Sequence, residues 1–124
     1  MKNYPDIKFI LVLCFTCLFM SCSDGNGIRT LLDGAFTTFT QKDYDTTQEQ
    51  LLKAEALVND ETPISDKEFL ERMKGINYIE LRVMDKAKVS LQKALDYSKQ
   101  MNATSRIIQN LFNLGLCNNT IEEA

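Results

Sequence analysis

The spacing of apolar residues after position 27 limits the fold of this chain more than any other feature. These residues recur every three or four positions in five blocks, which is the period of α-helices that each bury one face. The blocks span residues 28–39, 44–58, 69–79, 84–98 and 107–116. The alternation of apolar and polar residues that is typical of strands is absent. The sequence therefore predicts an all-α fold built from five short amphipathic helices.

Local signals predict where these helices begin and end. Asp43 is a candidate N-cap for the second helix, because a carboxylate at that position accepts hydrogen bonds from free backbone N–H groups. Residues 59–63 are predicted to be a loop, since the proline at its end disfavours a helical residue before it. Ser65 and Glu68 have the spacing of a capping box, which predicts that the third helix begins at Asp66.

A short pattern occurs twice along the predicted helices. Residues 42–57 contain a polar turn followed by a helix with alanine and leucine, and residues 85–95 repeat the pattern with Ala87 and Ala94. The two alanines are seven residues apart, which is two helical turns, so they lie on one face. Small side chains on that face let a paired helix approach closely.

Both copies resemble the second helix of the tetratricopeptide repeat. In this resemblance, Ala35 and Gly75 take the small position of the first helix in two successive units, and Phe112 takes it in a third. The resemblance implies antiparallel helix–turn–helix repeats in an α-solenoid of about two and a half units. The units would cover residues 28–61, residues 68–101 and an incomplete 105–124.

The first 21 residues have the order of an export signal. Lys2 and Lys8 precede an apolar run at residues 9–20 that contains a single threonine. A run of 12 residues is too short to span a membrane, which needs about 20 residues, but it matches the apolar core of a signal peptide. We therefore expect residues 1–21 to be a signal peptide that is removed.

Residues 18–22, Leu-Phe-Met-Ser-Cys, resemble the lipobox of bacterial lipoproteins. The resemblance implies that Cys22 becomes the mature N-terminus and carries fatty acids such as palmitate, with residues 22–27 as a flexible tether. It also implies a location in the bacterial cell envelope, at the outer membrane or the periplasmic face rather than in the cytoplasm. The alternative is an ordinary secretory signal in which Cys22 has no special role.

Composition limits the functions of the mature chain. Loss of Lys2, Lys8 and Asp6 from 14 basic and 17 acidic residues leaves a net charge of about −4 with both signs interspersed, so nucleic acid is not an expected partner. Histidine is absent from the sequence, and with Cys22 acylated, Cys117 is the only thiol left. These residues supply neither a zinc site nor a nucleophile–base pair. The sequence therefore predicts no enzyme activity, no metal and no cofactor. It also predicts that Cys117 is a small buried residue.

The resemblance to tetratricopeptide repeats also implies a concave groove, lined by the first helix of each unit, that binds a protein or peptide. The candidate groove residues share the family's groove positions. They are Arg29, Asp33, Phe36, Arg72, Met73, Arg106, Asn110 and Asn113. A plainer interpretation remains for each: the apolar members belong to the core, and the charged and amide members form an ordinary exposed face.

The last predicted helix has an apolar face formed by Ile108, Leu111, Phe112 and Leu116. Repeats of this kind bury such a face against a neighbouring unit. Two explanations are open: the chain is part of a longer repeat protein, which we expect, or the face is buried by self-association through the incomplete third repeat.

The expected function is a non-catalytic, lipid-anchored module that binds a protein or peptide, including the sensory or assembly region of a longer signalling protein. The alternative is a nutrient-capture lipoprotein that binds glycans. The absence of tryptophan weighs against that alternative, because its ring stacks well on sugars.

Overall fold

The computed structural model describes residues 23–122, and all regular structure in this part of the chain is α-helical. The helices are α1 (Ser23–Thr40), α2 (Tyr44–Leu57), α3 (Ile64–Glu80), α4 (Met84–Gln100) and α5 (Thr104–Glu122). The predicted all-α fold is confirmed. The predicted signal peptide and Cys22 lie outside the described residues. Of the helices in the described range, none has the length and hydropathy needed to cross a membrane.

The start of α1 differs from the flexible tether predicted at residues 22–27. α1 begins at Ser23, so the described part of this segment has a helical backbone. Once a helix has formed, adding one more residue gains a backbone hydrogen bond and orders only that residue. A helix that is already stabilised by its apolar face therefore extends readily into neighbouring residues. Gly27 already lies against α2, since a Cβ there would be 3.5 Å from Leu57 Cδ1.

Three of the connections between these helices use the same tight turn. Lys42, Arg82 and Asn102 occupy the left-handed region, with φ of 63°, 63° and 52°. In each turn the following residue donates its backbone N–H to the carbonyl oxygen five positions earlier, over 2.9, 2.9 and 3.0 Å. This is the Schellman pattern that ends a helix. It places α1 beside α2, α3 beside α4, and α4 beside α5.

The connection between α2 and α3 is longer, and the loop predicted at residues 59–63 is confirmed. The backbone N–H of Asn59 donates to Thr62 Oγ1 over 3.0 Å, and the N–H of Glu61 donates to Asn59 Oδ1 over 2.9 Å. This longer path lets α3 contact both α1 and α2.

The N-cap prediction is confirmed for α2 and wrong for α3. Asp43 caps α2 and accepts a hydrogen bond from the backbone N–H of Thr46 at 3.2 Å. The capping box predicted from Ser65 and Glu68 does not form, because α3 begins at Ile64 and the proline before it is the N-cap, without a side-chain cap hydrogen bond. Glu68 instead points into the helix packing, where it is buried.

α3 is the central helix and contacts the other four. One apolar cluster joins residues of α1, α2 and α3: Ile28, Leu32, Ala35, Leu51, Ala54, Leu70 and Met73. A second cluster joins α4 and α5 through Ala87, Leu91 and Cys117. Cys117 is fully buried, as predicted. Burial raises the pKa of its thiol, and the nearby charge of Lys88 only partly opposes this.

The helix pairs α1–α2 and α3–α4 are related by an offset of 40 residues. Lys42 and Arg82 hold the same place in the two turns, and Leu51 and Leu91 are both fully buried. α5 follows the same offset, since it begins at Thr104 and α3 begins at Ile64. The chain therefore repeats its local structure at a fixed interval.

Gly75 lies where Leu91 of α4 packs tightly against α3. A Cβ at this position would overlap Cγ and Cδ2 of Leu91. With the offset of 40 residues, its counterpart in α5 is Gly115. The prediction that Phe112 takes this position is corrected, because Phe112 is exposed and three residues out of register.

Candidate functional site

A groove with a cavity of about 430 Å³ lies between α1 and the first turns of α3 and α5. α1 contributes Arg29 and Asp33, α3 contributes Asp66 and Phe69, and α5 contributes Arg106. Each of these side chains is in the first two or three turns of its helix. The groove therefore combines two guanidinium groups, one aromatic ring and three carboxylates, of which that of Glu68 is buried.

The charged groups at the rim are held only by weak contacts. Arg29 Nε lies 3.7 Å from Asp66 Oδ2, and the Arg29 side chain is 68% exposed. An exposed ion pair at that distance contributes about 0–1 kcal/mol. Arg106 Nη1 donates a hydrogen bond of 3.0 Å to Gln109 Oε1 within its own helix. Both guanidinium groups can therefore turn toward a ligand at little cost.

Beneath the rim, a buried polar network joins α3 to α5. Glu68 Oε1 accepts hydrogen bonds from Arg72 Nε at 2.9 Å and from Asn110 Nδ2 at 3.2 Å. Arg72 Cζ lies 5.1 Å from the centre of the Phe69 ring, within the range of a cation–π contact. A carboxylate that accepts from two buried donors fixes their positions. The network therefore sets the position of α5 against α3 and supports the Phe69 ring.

The network leaves two buried atoms without a hydrogen-bond partner among the described residues. They are Arg72 Nη2, a donor, and Asn110 Oδ1, an acceptor. Both side chains belong to the same cluster around Glu68. Buried polar atoms of this kind are usually satisfied by an ordered water or by a neighbouring group.

Three of the eight predicted groove residues line the cavity. Arg29, Asp33 and Arg106 come from three different stretches of sequence, and the structure brings them together around the cavity. Phe36 is exposed on α1 but lies outside the cavity lining, and Asn113 is partly buried and also outside it.

Three other predicted groove residues lie inside the helix packing and do not face the groove. Met73 is 1% exposed and belongs to the core cluster of α1, α2 and α3. Asn110 is fully buried because its amide donates to Glu68. Arg72 is mostly buried beneath Phe69. The assignment of Arg72, Met73 and Asn110 as groove contacts is therefore corrected.

Among the cavity-lining residues that were not predicted, two are acidic. Asp66 and Glu68 line the cavity, whereas their sequence positions indicate roles at the helix start. Acidic residues in a first turn are ordinarily explained by the helix dipole, so no sequence signal distinguishes them. The buried carboxylate of Glu68 accepts a hydrogen bond from Asn110, 42 residues later in the chain, which no nearby residue indicates.

The comparisons with known proteins do not indicate a function, so a function is argued from the groove and the helix packing. No protein-family model matches this sequence, and no curated protein or solved structure matches it significantly. Among residues 23–122, no group of histidine, cysteine, aspartate and glutamate side chains is arranged to hold a metal ion.

Proposed function

We propose that this protein is a lipid-anchored module of the bacterial cell envelope whose helical repeats resemble tetratricopeptide repeats and whose groove binds a protein or peptide. The observation that carries the proposal is the shared groove of α1, α3 and α5. Three helices at equivalent places along the chain contribute charged side chains to one concavity. Its role is recognition rather than catalysis.

The repeat architecture supports this proposal. The offset of 40 residues relates turns, buried leucines and small residues in successive units. α3 contacts both α1 and α5, so the first helices of the three units lie side by side. The interval is longer than the 34 residues of the tetratricopeptide unit, but the order of contacts is the one expected of stacked helix pairs.

The groove chemistry indicates a peptide that carries both charges. Arg29 and Arg106 are suited to carboxylate or backbone carbonyl groups, because a guanidinium donates two parallel hydrogen bonds. Asp33 and Asp66 are suited to lysine side chains or backbone N–H groups. Phe69 gives an apolar surface for one side chain of the ligand.

The proposed anchor would hold the groove close to the membrane. α1 begins at Ser23, directly after the cysteine that would be acylated. From there to Arg29 the helix rises by only about 10 Å. A groove at that height favours partners that are themselves at the membrane surface.

The groove is tested by removing its two arginines together. Arg29→Ala/Arg106→Ala should reduce the yield of a photo-crosslink from position 33 to an envelope protein at least about tenfold, because two charge-assisted hydrogen bonds are lost. Crosslinked partners are identified by mass spectrometry from intact cells.

The matched control removes two exposed lysines outside the groove, Lys53→Ala/Lys93→Ala, and should leave the crosslink unchanged. Equal losses in both double variants, or equal crosslinking from positions 33 and 53, would show that the groove does not select the partner.

The anchor is tested at Cys22. Cys22→Ser should abolish incorporation of labelled palmitate and move the protein from the membrane fraction to the soluble fraction, because one thiol carries the lipid. Cys17→Ser lies in the predicted signal peptide and should change neither result. Palmitate retained by the Cys22 variant would contradict the anchor, and a soluble wild-type protein would favour the ordinary secretory signal.

A further inference from the structure

The α5 face, which we define as Ile108, Leu111, Phe112 and Gly115, is a large apolar surface. Ile108, Leu111 and Phe112 are 61%, 51% and 65% exposed. At Gly115, a Cβ would meet no atom of the described residues within 4 Å, apart from the adjoining residues and backbone of α5 itself. Soluble proteins seldom expose adjoining large apolar residues unless the surface binds something.

The counterparts of this face are buried or partly buried in both earlier units. Ile28, Leu32, Glu68 and Glu71 are 5%, 3%, 2% and 8% exposed, and Leu31 and Arg72 are partly buried. α5 keeps that register. Cys117 of α5 lies near Lys88 of α4, and the residues 40 positions before them, Asn77 and Gln48, are also in contact through a hydrogen bond. The α5 face is therefore the third copy of a surface that packs against other helices in its first two copies.

The second unit shows which kind of helix fits. Gly75 receives Leu91 of α4, which stands between Ala87 and Ala94 on one helix face. The first unit pairs Ala35 with the similar face of α2. In both units, a leucine between two small residues packs against a small residue of the preceding helix.

We propose that the α5 face binds an amphipathic helix of a partner protein in the way that α3 binds α4, with a leucine seated on Gly115 and small residues on either side. The site is continuous with the established series of helix interfaces in this chain. It is also matched in charge, since the α5 face and the inward face of α4 are both uncharged. None of its residues lines the groove, so it is a second, separate site.

A second copy of this chain is a poorer occupant. Leu91 has alanines four residues before it and three residues after it, and Leu51 has Thr47 and Ala54 at the same spacing. α5 has no leucine with two small exposed neighbours at that spacing. If two α5 faces packed together, large side chains would contact large side chains, and no side chain would fit against Gly115.

A peptide with the sequence of α4, residues 84–100, is the probe. We expect the fluorescein-labelled peptide to bind the protein, as measured by fluorescence anisotropy. Gly115→Leu should weaken binding at least tenfold, because its side chain fills the space that the peptide leucine would occupy. The Leu91→Asp peptide should not bind. Ala56→Leu adds the same side chain at an exposed position of α2 and should leave binding unchanged.

The results separate this site from the groove and from self-association. Arg29→Ala/Arg106→Ala should bind the α4 peptide normally even if the groove proposal fails. Circular dichroism should show that Gly115→Leu stays folded, because leucine favours helix over glycine and has room there. Failure of wild type to bind the peptide, unchanged binding by Gly115→Leu, or a wild-type dimer that Gly115→Leu converts to monomer in sedimentation would each overturn the proposal.

Discussion

Replacing Lys74 with methionine should lower the free energy of unfolding by about 3 kcal/mol, because it leaves a buried carboxylate without its cation. Lys74 is buried on α3, and its Nζ lies 3.0 Å from Glu55 Oε1 and 3.4 Å from Glu71 Oε2. Methionine nearly keeps the length of the side chain, so the loss reports on charge rather than on a cavity. Urea denaturation followed by circular dichroism measures it.

The two carboxylates should contribute unequally. Glu71 is buried, whereas the Glu55 side chain is 43% exposed, so water can replace Lys74 at Glu55 but not at Glu71. Glu55→Gln should therefore cost less than about 1 kcal/mol. Lys74→Met/Glu71→Leu should recover most of the loss, since both buried charges are gone. A double variant as unstable as Lys74→Met alone would show that the ion pair is not the cause.

The contribution of Lys74 should also depend on pH. Burial by itself lowers the pKa of Lys74, but the hydrogen bond to Glu55 and the charges of Glu71 and Glu55 outweigh it, and the pKa lies above its ordinary value of 10.5. The folded state thus favours the protonated amine, and this stabilisation is complete below pH 10.5 and is lost as the pH rises through the raised pKa. The stability gap between wild type and Lys74→Met should be constant near neutral pH and narrow above that value.

The positions of the helices could be predicted because apolar spacing and turn residues act locally. The Asp43 cap, the loop at 59–63 and the burial of Cys117 were all predicted from such local signals. The burial of polar side chains could not be predicted, since Lys74 and Glu68 are stabilised by partners distant in sequence. A polar residue on a helix is ordinarily exposed.

The groove was predictable only where its residues are exposed. Arg29 and Asp33 are exposed on α1, and Arg106 is partly exposed in the first turn of α5. Asn110 has the same kind of polar side chain but is turned inward by Glu68. The register of the third unit was misassigned at Phe112, because helical periodicity alone does not distinguish positions three residues apart on the same side of a helix.

The same substitution at two glycines 40 residues apart should have opposite effects on stability. Gly75→Leu should cost about 3 kcal/mol or more, because even a Cβ would overlap the buried Leu91 and the α3–α4 contact would have to open. Gly115→Leu should gain up to about 1 kcal/mol, because a Cβ there meets no described atom within 4 Å beyond the adjoining residues and backbone of α5. Thermal and urea denaturation of the two variants beside wild type measure the difference.

Losses of similar size in both variants would mean that α5 is already covered at Gly115, and the register that relates it to Gly75 would not describe its packing. Opposite signs would assign the difference to the neighbouring helix alone, because residue type, register position and substitution are the same. Glycine weakens a helix, so at Gly75 that weakness is offset by the close approach of α4. At Gly115 the described chain supplies no such helix, and the same weakness is explained if a partner helix approaches α5 there.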